Sequence, residues 1–286
     1  MSNIDWFNES LLIEPASKQI QVHDKTINYL VWGEESKPGL FFIHGYSAHA
    51  HWWDFVAPAF IEKFCVVAID LSGSGDSDHR ESYSQEIFAD EIKAVCEDMN
   101  WKQADFVAHS MGGSISLNAT SIYPELFKSL TLLDSIVVLP PDKVRGFSSN
   151  KSMIRADFIY DDIDAAMDSF RLIPPQPCRN DYLLKHIASN SFKQRDDGWV
   201  LKSDGKIMKS YKSKDLTDIL MAIKCPINIV YGLMSQIFTQ EILDYTLYVG
   251  NIPEERVIGI PGTMHHLFVD DPLSVIDALK KLIGED

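Results

Sequence analysis

The stretch FVAHSMGGSIS, residues 106–116, runs from an apolar, β-branched segment straight into a helical one, with Ser110 at the junction. Ala108, Ser110 and Gly112 make a small-x-Ser-x-small pattern, a variant of G-x-S-x-G with Ala in the first place. A sharp strand-to-helix turn brings neighbouring backbone close to the serine, so small flanking residues are required, and the turn lifts the hydroxyl clear of the sheet. A serine hydroxyl becomes a useful nucleophile only when a general base takes its proton. The same letters also describe a serine helix cap followed by packing glycines, and the motif alone does not separate the two readings.

Two other stretches bear on the choice. FFIHGYSAHAHWW, residues 41–53, is an apolar strand ending in His44-Gly45, followed by a polar loop and an aromatic pair. The backbone N–H of Tyr46 in that loop, together with that of Met111 after the serine, would suit an oxyanion formed during acyl transfer. Taken alone, His44-Gly45 reads as a strand-ending turn. Near the C-terminus, IPGTMHHLFVDDP places two histidines on a loop after the last apolar strand. A base there can reach the carboxyl edge of the sheet, where Ser110 also sits; His265 is the candidate and His266 the reserve. An isolated histidine is more often a solvated loop residue, but beside Ser110 the catalytic reading is preferred.

These residues need a scaffold that brings them to one edge. Apolar runs at 27–33, 39–45, 64–70, 104–110, 129–135, 227–232 and 256–260 read as strands, most of them nearly continuous, as strands covered on both faces should be. Residues 82–100 carry apolar positions at mostly helical spacing, with Ser84 as a possible cap, and 240–250 and the stretch from about 272 also read as helices. Strand, helix, strand alternation implies parallel pairing through right-handed crossovers. Between 135 and 220 the pattern changes to helical pieces interrupted by LPP and IPPQP, with no clear buried strand. The expected organisation is therefore an α/β core domain from 1–134 and 221–286, with a mainly parallel sheet, and a helical cap at 135–220.

Composition narrows the partners. With 26 Lys+Arg against 41 Asp+Glu the 286-residue chain has a formal net charge of -15, which repels nucleic-acid phosphates and anionic membrane surfaces. No apolar run approaches a membrane span, and the start MSNIDWFNESLLIEP has no basic region followed by an apolar stretch. Cys65, Cys96, Cys178 and Cys225 are widely spaced and form no CxxC pair. The expectation is a cytoplasmic protein with reduced thiols, acting on a small molecule and using no metal or other cofactor.

The His44-Gly45 pair, the run DLSGSGDSD from Asp70, the elbow from Ala108 to Gly113, and His265 ahead of Pro272 together resemble the α/β-hydrolase fold with an inserted cap. The resemblance covers nearly the whole chain. Within that superfamily it is nearest to serine hydrolase-like and carboxylesterase-type members, partly through DGWVLKSD at 197–204. The SGSGDS run lacks the third glycine of a dinucleotide fingerprint and is read as a structural turn.

The resemblance implies a triad in the chain order Ser, acid, His, with the acid commonly in the turn after the strand that follows the cap. That turn here offers Leu233, Met234, Ser235 and Gln236, none of which carries a negative charge. Glu241 and Asp244 fall in the next helix, and Asp270 and Asp271 lie too close to His265 in sequence and read as a helix start before Pro272. Asp134, ending the strand after the elbow helix, remains; some branches of the fold keep their acid there. The expected function is ester hydrolysis by Ser110, His265 and Asp134. A lactone, thioester or carbon-carbon bond, or a non-catalytic ligand-binding role, is the alternative. The serine nucleophile argues against haloalkane or epoxide chemistry through an alkyl-enzyme ester. His44, Gly45, Phe147, Phe158 and Phe170 are candidate substrate contacts, with Met153 and Leu172 as further candidates for an apolar wall.

Overall fold

The computed structural model describes residues 3–144, 158–212 and 214–284. In chain order it contains α1 (Asn3–Leu11), β1 (Ala16–Val22), β2 (Lys25–Trp32), β3 (Gly39–Ile43), β4 (Cys65–Ile69), α2 (Gln85–Asp98), β5 (Ala104–His109), α3 (Met111–Ile122) and β6 (Phe127–Leu133). There follow α4 (Pro141–Val144), β7 (Ile159–Tyr160), α5 (Ile163–Ser169), α6 (Asp181–Ser191), β8 (Phe192–Arg195), β9 (Gly198–Leu201), α7 (Ile207–Ser210) and α8 (Thr217–Ala222). The chain closes with β10 (Ile227–Gly232), α9 (Gln240–Gly250), β11 (Val257–Ile260), α10 (Leu267–Asp270) and α11 (Pro272–Ile283).

The uninterrupted apolar runs become strands buried along their whole length: β3, β4, β5 and β10. Eight strands form one sheet in the order β1-β2-β4-β3-β5-β6-β10-β11. From β4 to β11 every neighbouring pair is parallel, whereas β2 runs antiparallel to both β1 and β4. The sequence reading did not find β1. Its residues ASKQIQV are mostly exposed at the sheet edge, so it carries no apolar run to detect. Ser84 caps α2 by accepting from the Ile87 N–H.

Because successive side chains of a strand point to opposite faces, β3 feeds two cores. Phe41 and Ile43 pack under α2 and α3, while Leu40 and Phe42 pack with Trp53, Phe268 and Leu279. The second core also contains Phe170, Leu172, Leu183 and Ile187 from the segment between β6 and β10. Each such side chain contributes roughly 1.5–3 kcal/mol relative to exposure, so the segment is docked on the sheet through a shared core. Where a mainly helical segment with no clear buried strand was expected, β7, β9 and β8 form a three-stranded antiparallel sheet. Only Phe192 and Val200 of these strands are buried, which is too little periodicity to read.

The SGSGDS run is a turn folded around the buried carboxylate of Asp70. That carboxylate accepts from the Ala50 N–H at 2.7 Å, Asn28 Nδ2 at 2.9 Å and the Asp76 N–H at 3.0 Å. It thereby anchors the loop that follows β3. All four cysteines are free thiols, and among the described residues no helix is long and apolar enough to cross a membrane.

Candidate active site

Ser110 stands between β5 and α3 with φ 53° and ψ -120°, a conformation costly for a residue with a Cβ and characteristic of functional turns. The surroundings hold it there: its N–H donates to Leu133 O at 3.1 Å and its carbonyl accepts from the Gly113 N–H at 3.0 Å. The small residues of the motif are demanded by contact. A Cβ on Gly112 would stand 2.5 Å from the His44 carbonyl oxygen, and one on Gly45 would stand 3.0 Å from the Ser110 Cβ. The loop after β3 is thus pressed against the elbow, and Tyr46 follows directly. Met111 is the first residue of α3, where an N–H has no carbonyl one turn back to bond within the helix.

His265, in the loop between β11 and α10, meets the serine across the carboxyl edge of the sheet. Ser110 Oγ lies 2.9 Å from His265 Nε2, and His265 Nδ1 lies 2.8 Å from Asp134 Oδ1. A carboxylate only accepts, so the imidazole proton sits on Nδ1 and Nε2 is left to accept from the hydroxyl. Asp134 directly follows β6, with φ 44°, and is fully buried. A buried carboxylate needs compensating donors, and this one has two besides the imidazole. The Gly232 N–H donates to Oδ2 at 3.0 Å, and Ser235 Oγ donates to Oδ1 at 2.8 Å.

Ser235 occupies the turn where an acid was sought. Its hydroxyl accepts from the Ile237 and Phe238 N–H groups at 3.3 and 3.1 Å, so its one proton is directed to Asp134. The turn after β10 therefore supports a carboxylate carried on the neighbouring strand. The other acids weighed in the sequence are engaged elsewhere. Glu241 pairs with Lys143, Asp244 accepts from Gln240, and Asp271 caps α11. Asp270 accepts from the Met264 N–H and from Gln176.

The remaining histidines near the site divide the work of holding it. His44 was a candidate substrate contact, but its ring is buried and fully engaged: Nδ1–H donates to Gly45 O at 2.7 Å and Nε2 accepts from the Leu71 N–H at 3.1 Å. It shapes the loop and has no nitrogen left for a ligand. His109, which sequence reasoning passed over, donates from Nε2 to the His265 carbonyl at 3.0 Å. His266 is 2% exposed, and its ring lies against the backbone of Ile173 and Pro174. Burial, reinforced by the neighbouring imidazoles, drives the pKa of both His109 and His266 well below the usual histidine range, so both are neutral spacers. Of these rings it is His265 that presents a nitrogen, Nε2, to Ser110 Oγ.

The aromatic candidates part ways. Phe170 and Leu172 are buried in the second core. Phe158 is exposed and lines a cleft of about 70 Å³ with Tyr46, Ser47, Arg195, Leu201 and Ser203. Ser110 is not among its walls; it adjoins the site through the Tyr46 loop. Gly45 packs on the elbow, as described. Phe147 and Met153 lie outside the described residues. Among the described residues no three His, Cys, Asp or Glu side chains stand together as metal ligands.

Residues 38–171 match the family described as alpha/beta hydrolase fold. A serine hydrolase-like protein of Danio rerio is 25% identical over 191 residues, 62% of this chain and 58% of that protein. Epoxide hydrolase 1 of Caenorhabditis elegans is 32% identical over 117 residues, 40% of this chain and 29% of that protein. The matches thus span less than two thirds of these relatives' own length. An esterase of Mycobacterium tuberculosis superposes with a TM-score of 0.76 at 22% identity, covering 99% of both chains.

Proposed function

The chain is an α/β-hydrolase-fold protein, and from that premise we propose that it is a cofactor-independent serine hydrolase acting on carboxylic esters. The observation that carries the reading is the pair of linked hydrogen bonds, 2.9 Å from Ser110 to His265 and 2.8 Å from His265 to Asp134, on a strained serine. In this reading Ser110 Oγ attacks the acyl carbon while its proton passes to His265 Nε2. Asp134 stabilises the imidazolium without itself being protonated. The Tyr46 and Met111 amides receive the oxyanion. His265 then returns the proton to the departing alcohol, leaving Ser110 acylated, and repeats the cycle with water to release the acid.

The segment at 135–220 acts as a cap, and its cleft beside Tyr46 is where we place the non-reacting part of the substrate. Epoxide opening, suggested by one relative's name, forms an alkyl-enzyme ester on a carboxylate nucleophile; here the position is serine, which favours acyl transfer. The test is labelling by a fluorophosphonate probe, with Ser110→Ala as control, followed by p-nitrophenyl esters of increasing chain length. Labelling that disappears in Ser110→Ala together with ester turnover supports the reading. No labelling of the wild type overturns it in favour of a ligand-binding member of the fold.

A further inference from the structure

The segment ahead of α6 reads Pro174-Pro175-Gln176-Pro177. Proline fixes φ on both sides of Gln176, so the glutamine is presented by a stiff backbone that loses little entropy when its side chain bonds. That side chain is committed to the loop that carries His265. Oε1 accepts from the His266 N–H at 2.9 Å, and Nε2 donates to Asp270 Oδ2 at 3.0 Å. Reversing the amide would face donor to donor and oxygen to oxygen, so this orientation is the one the partners allow.

The loop's own bonds give the contact its meaning. Asp270 Oδ2 also accepts from the Met264 N–H at 2.7 Å, and the His265 carbonyl accepts from His109 at 3.0 Å. The backbone around His265 is therefore held at three points: by Asp270 at the Met264 N–H, and by His109 and Gln176 at the carbonyl and the N–H of the one peptide that joins His265 to His266. Asn180 adds Nδ2 bonds of 2.9 Å to the carbonyls of both Val269 and Asp270. Of the three anchors flanking the base, Gln176 alone comes from the segment between β6 and β10.

We propose that Gln176 is a positioning residue for His265, so that docking of the cap and alignment of the general base are one event. This rests on the serine-hydrolase reading of the site. The Gln176 amide ties the middle of the base loop to its end; without it the peptide after His265 keeps only its bond to His109, and the imidazole is held less firmly on the line between Ser110 and Asp134.

Two variants test this. Gln176→Ala should lower kcat roughly 10- to 100-fold, the range for loss of reactive alignment, with KM for a short p-nitrophenyl ester changed less than about two-fold. Gln176→Glu keeps the shape but sets two carboxyls about 3 Å apart, where they can bridge only by sharing a proton. That bridge exists while the pair holds a proton and is lost as pH rises through the shared pKa, which neighbouring Asp271 raises and Arg179 lowers, so the ratio of Gln176→Glu activity to wild-type activity should fall as pH rises. A Gln176→Ala kcat within two-fold of wild type, or a Gln176→Glu profile parallel to wild type, overturns the proposal. If wild type takes up no fluorophosphonate, the hydrolase reading fails separately. The clamp is then read from the far-downfield proton NMR signal of His265 Nδ1–H, which should shift or broaden in Gln176→Ala; an unchanged signal refutes it.

Discussion

Replacing Asp134 by Asn probes the site with one atom changed. The carboxylate receives three donors: the Gly232 N–H on Oδ2, and Ser235 Oγ and His265 Nδ1 on Oδ1. An amide has one oxygen to offer where the carboxylate had two. Turning its NH2 toward Gly232 would oppose two donors, one of them a backbone group that cannot rotate, at an unsatisfied-donor cost of about 1–3 kcal/mol. The amide therefore keeps its oxygen on Gly232 and points an N–H at His265, while the Ser235 hydroxyl, whose lone pairs are taken by two backbone amides, loses its acceptor. His265 Nδ1 must then accept, which moves the imidazole proton to Nε2, facing Ser110 at 2.9 Å. A protonated Nε2 cannot take the serine proton, and no carboxylate remains to stabilise an imidazolium. The expected fall in kcat/KM for a p-nitrophenyl ester is about 10⁴-fold, as for this change in another triad, or roughly 5.5 kcal/mol of transition-state stabilisation. The variant should remain folded by circular dichroism, because its hydrogen-bond count at Gly232 is kept. Placing the acid on the other strand, as Asp134→Asn with Ser235→Asp, should recover part of the rate. Activity of the single variant within ten-fold of wild type would refute the tautomer argument and the role given to Asp134.

Ser235→Ala removes a hydroxyl that donates to a buried carboxylate and accepts from two amides. Urea denaturation should show a loss of about 1–3 kcal/mol, the range for hydrogen bonds to charged groups and orphaned donors, with activity reduced far less than in Asp134→Asn because the imidazole bond survives. Stability should also fall on mild acidification. Burial lowers the pKa of His44, His49, His109 and His266 in the fold, so below about pH 6.5 the unfolded chain binds protons that the folded chain refuses. The stabilisation is complete above that pH and is lost as pH falls toward the depressed folded values. These four groups contribute a limiting slope of roughly 5 kcal/mol per pH unit, measurable by urea titrations from about pH 7.5 to 5. A flat profile would mean that the four rings are not held neutral.

The sequence by itself determined whatever local chemistry reports. Unbroken apolar runs marked the strands buried on both faces, Ser84 announced the start of α2, and small residues around Ser110 announced a crowded turn. The loop of His265 was legible for the same reason, as a polar interruption between a strand and a proline-started helix. β1 escaped because an exposed edge needs no apolar pattern, and the β7-β9-β8 sheet because its strands are two to four residues long. Asp134 was reached by elimination, from a vacancy at Ser235. Only the tertiary structure decided why the vacancy is tolerable. Parallel pairing sets Leu133 beside Val230, so the residues just beyond these two strand ends, about a hundred positions apart, share one carboxylate: Asp134 supplies it and Ser235 supplies a proton. Gln176 and His109 were invisible for the same reason. Their partners lie on the His265 loop, 90 and 156 positions along the chain, and hydrogen bonds over such spans depend on sheet register and docking, which leave no periodic trace in the residues that make them.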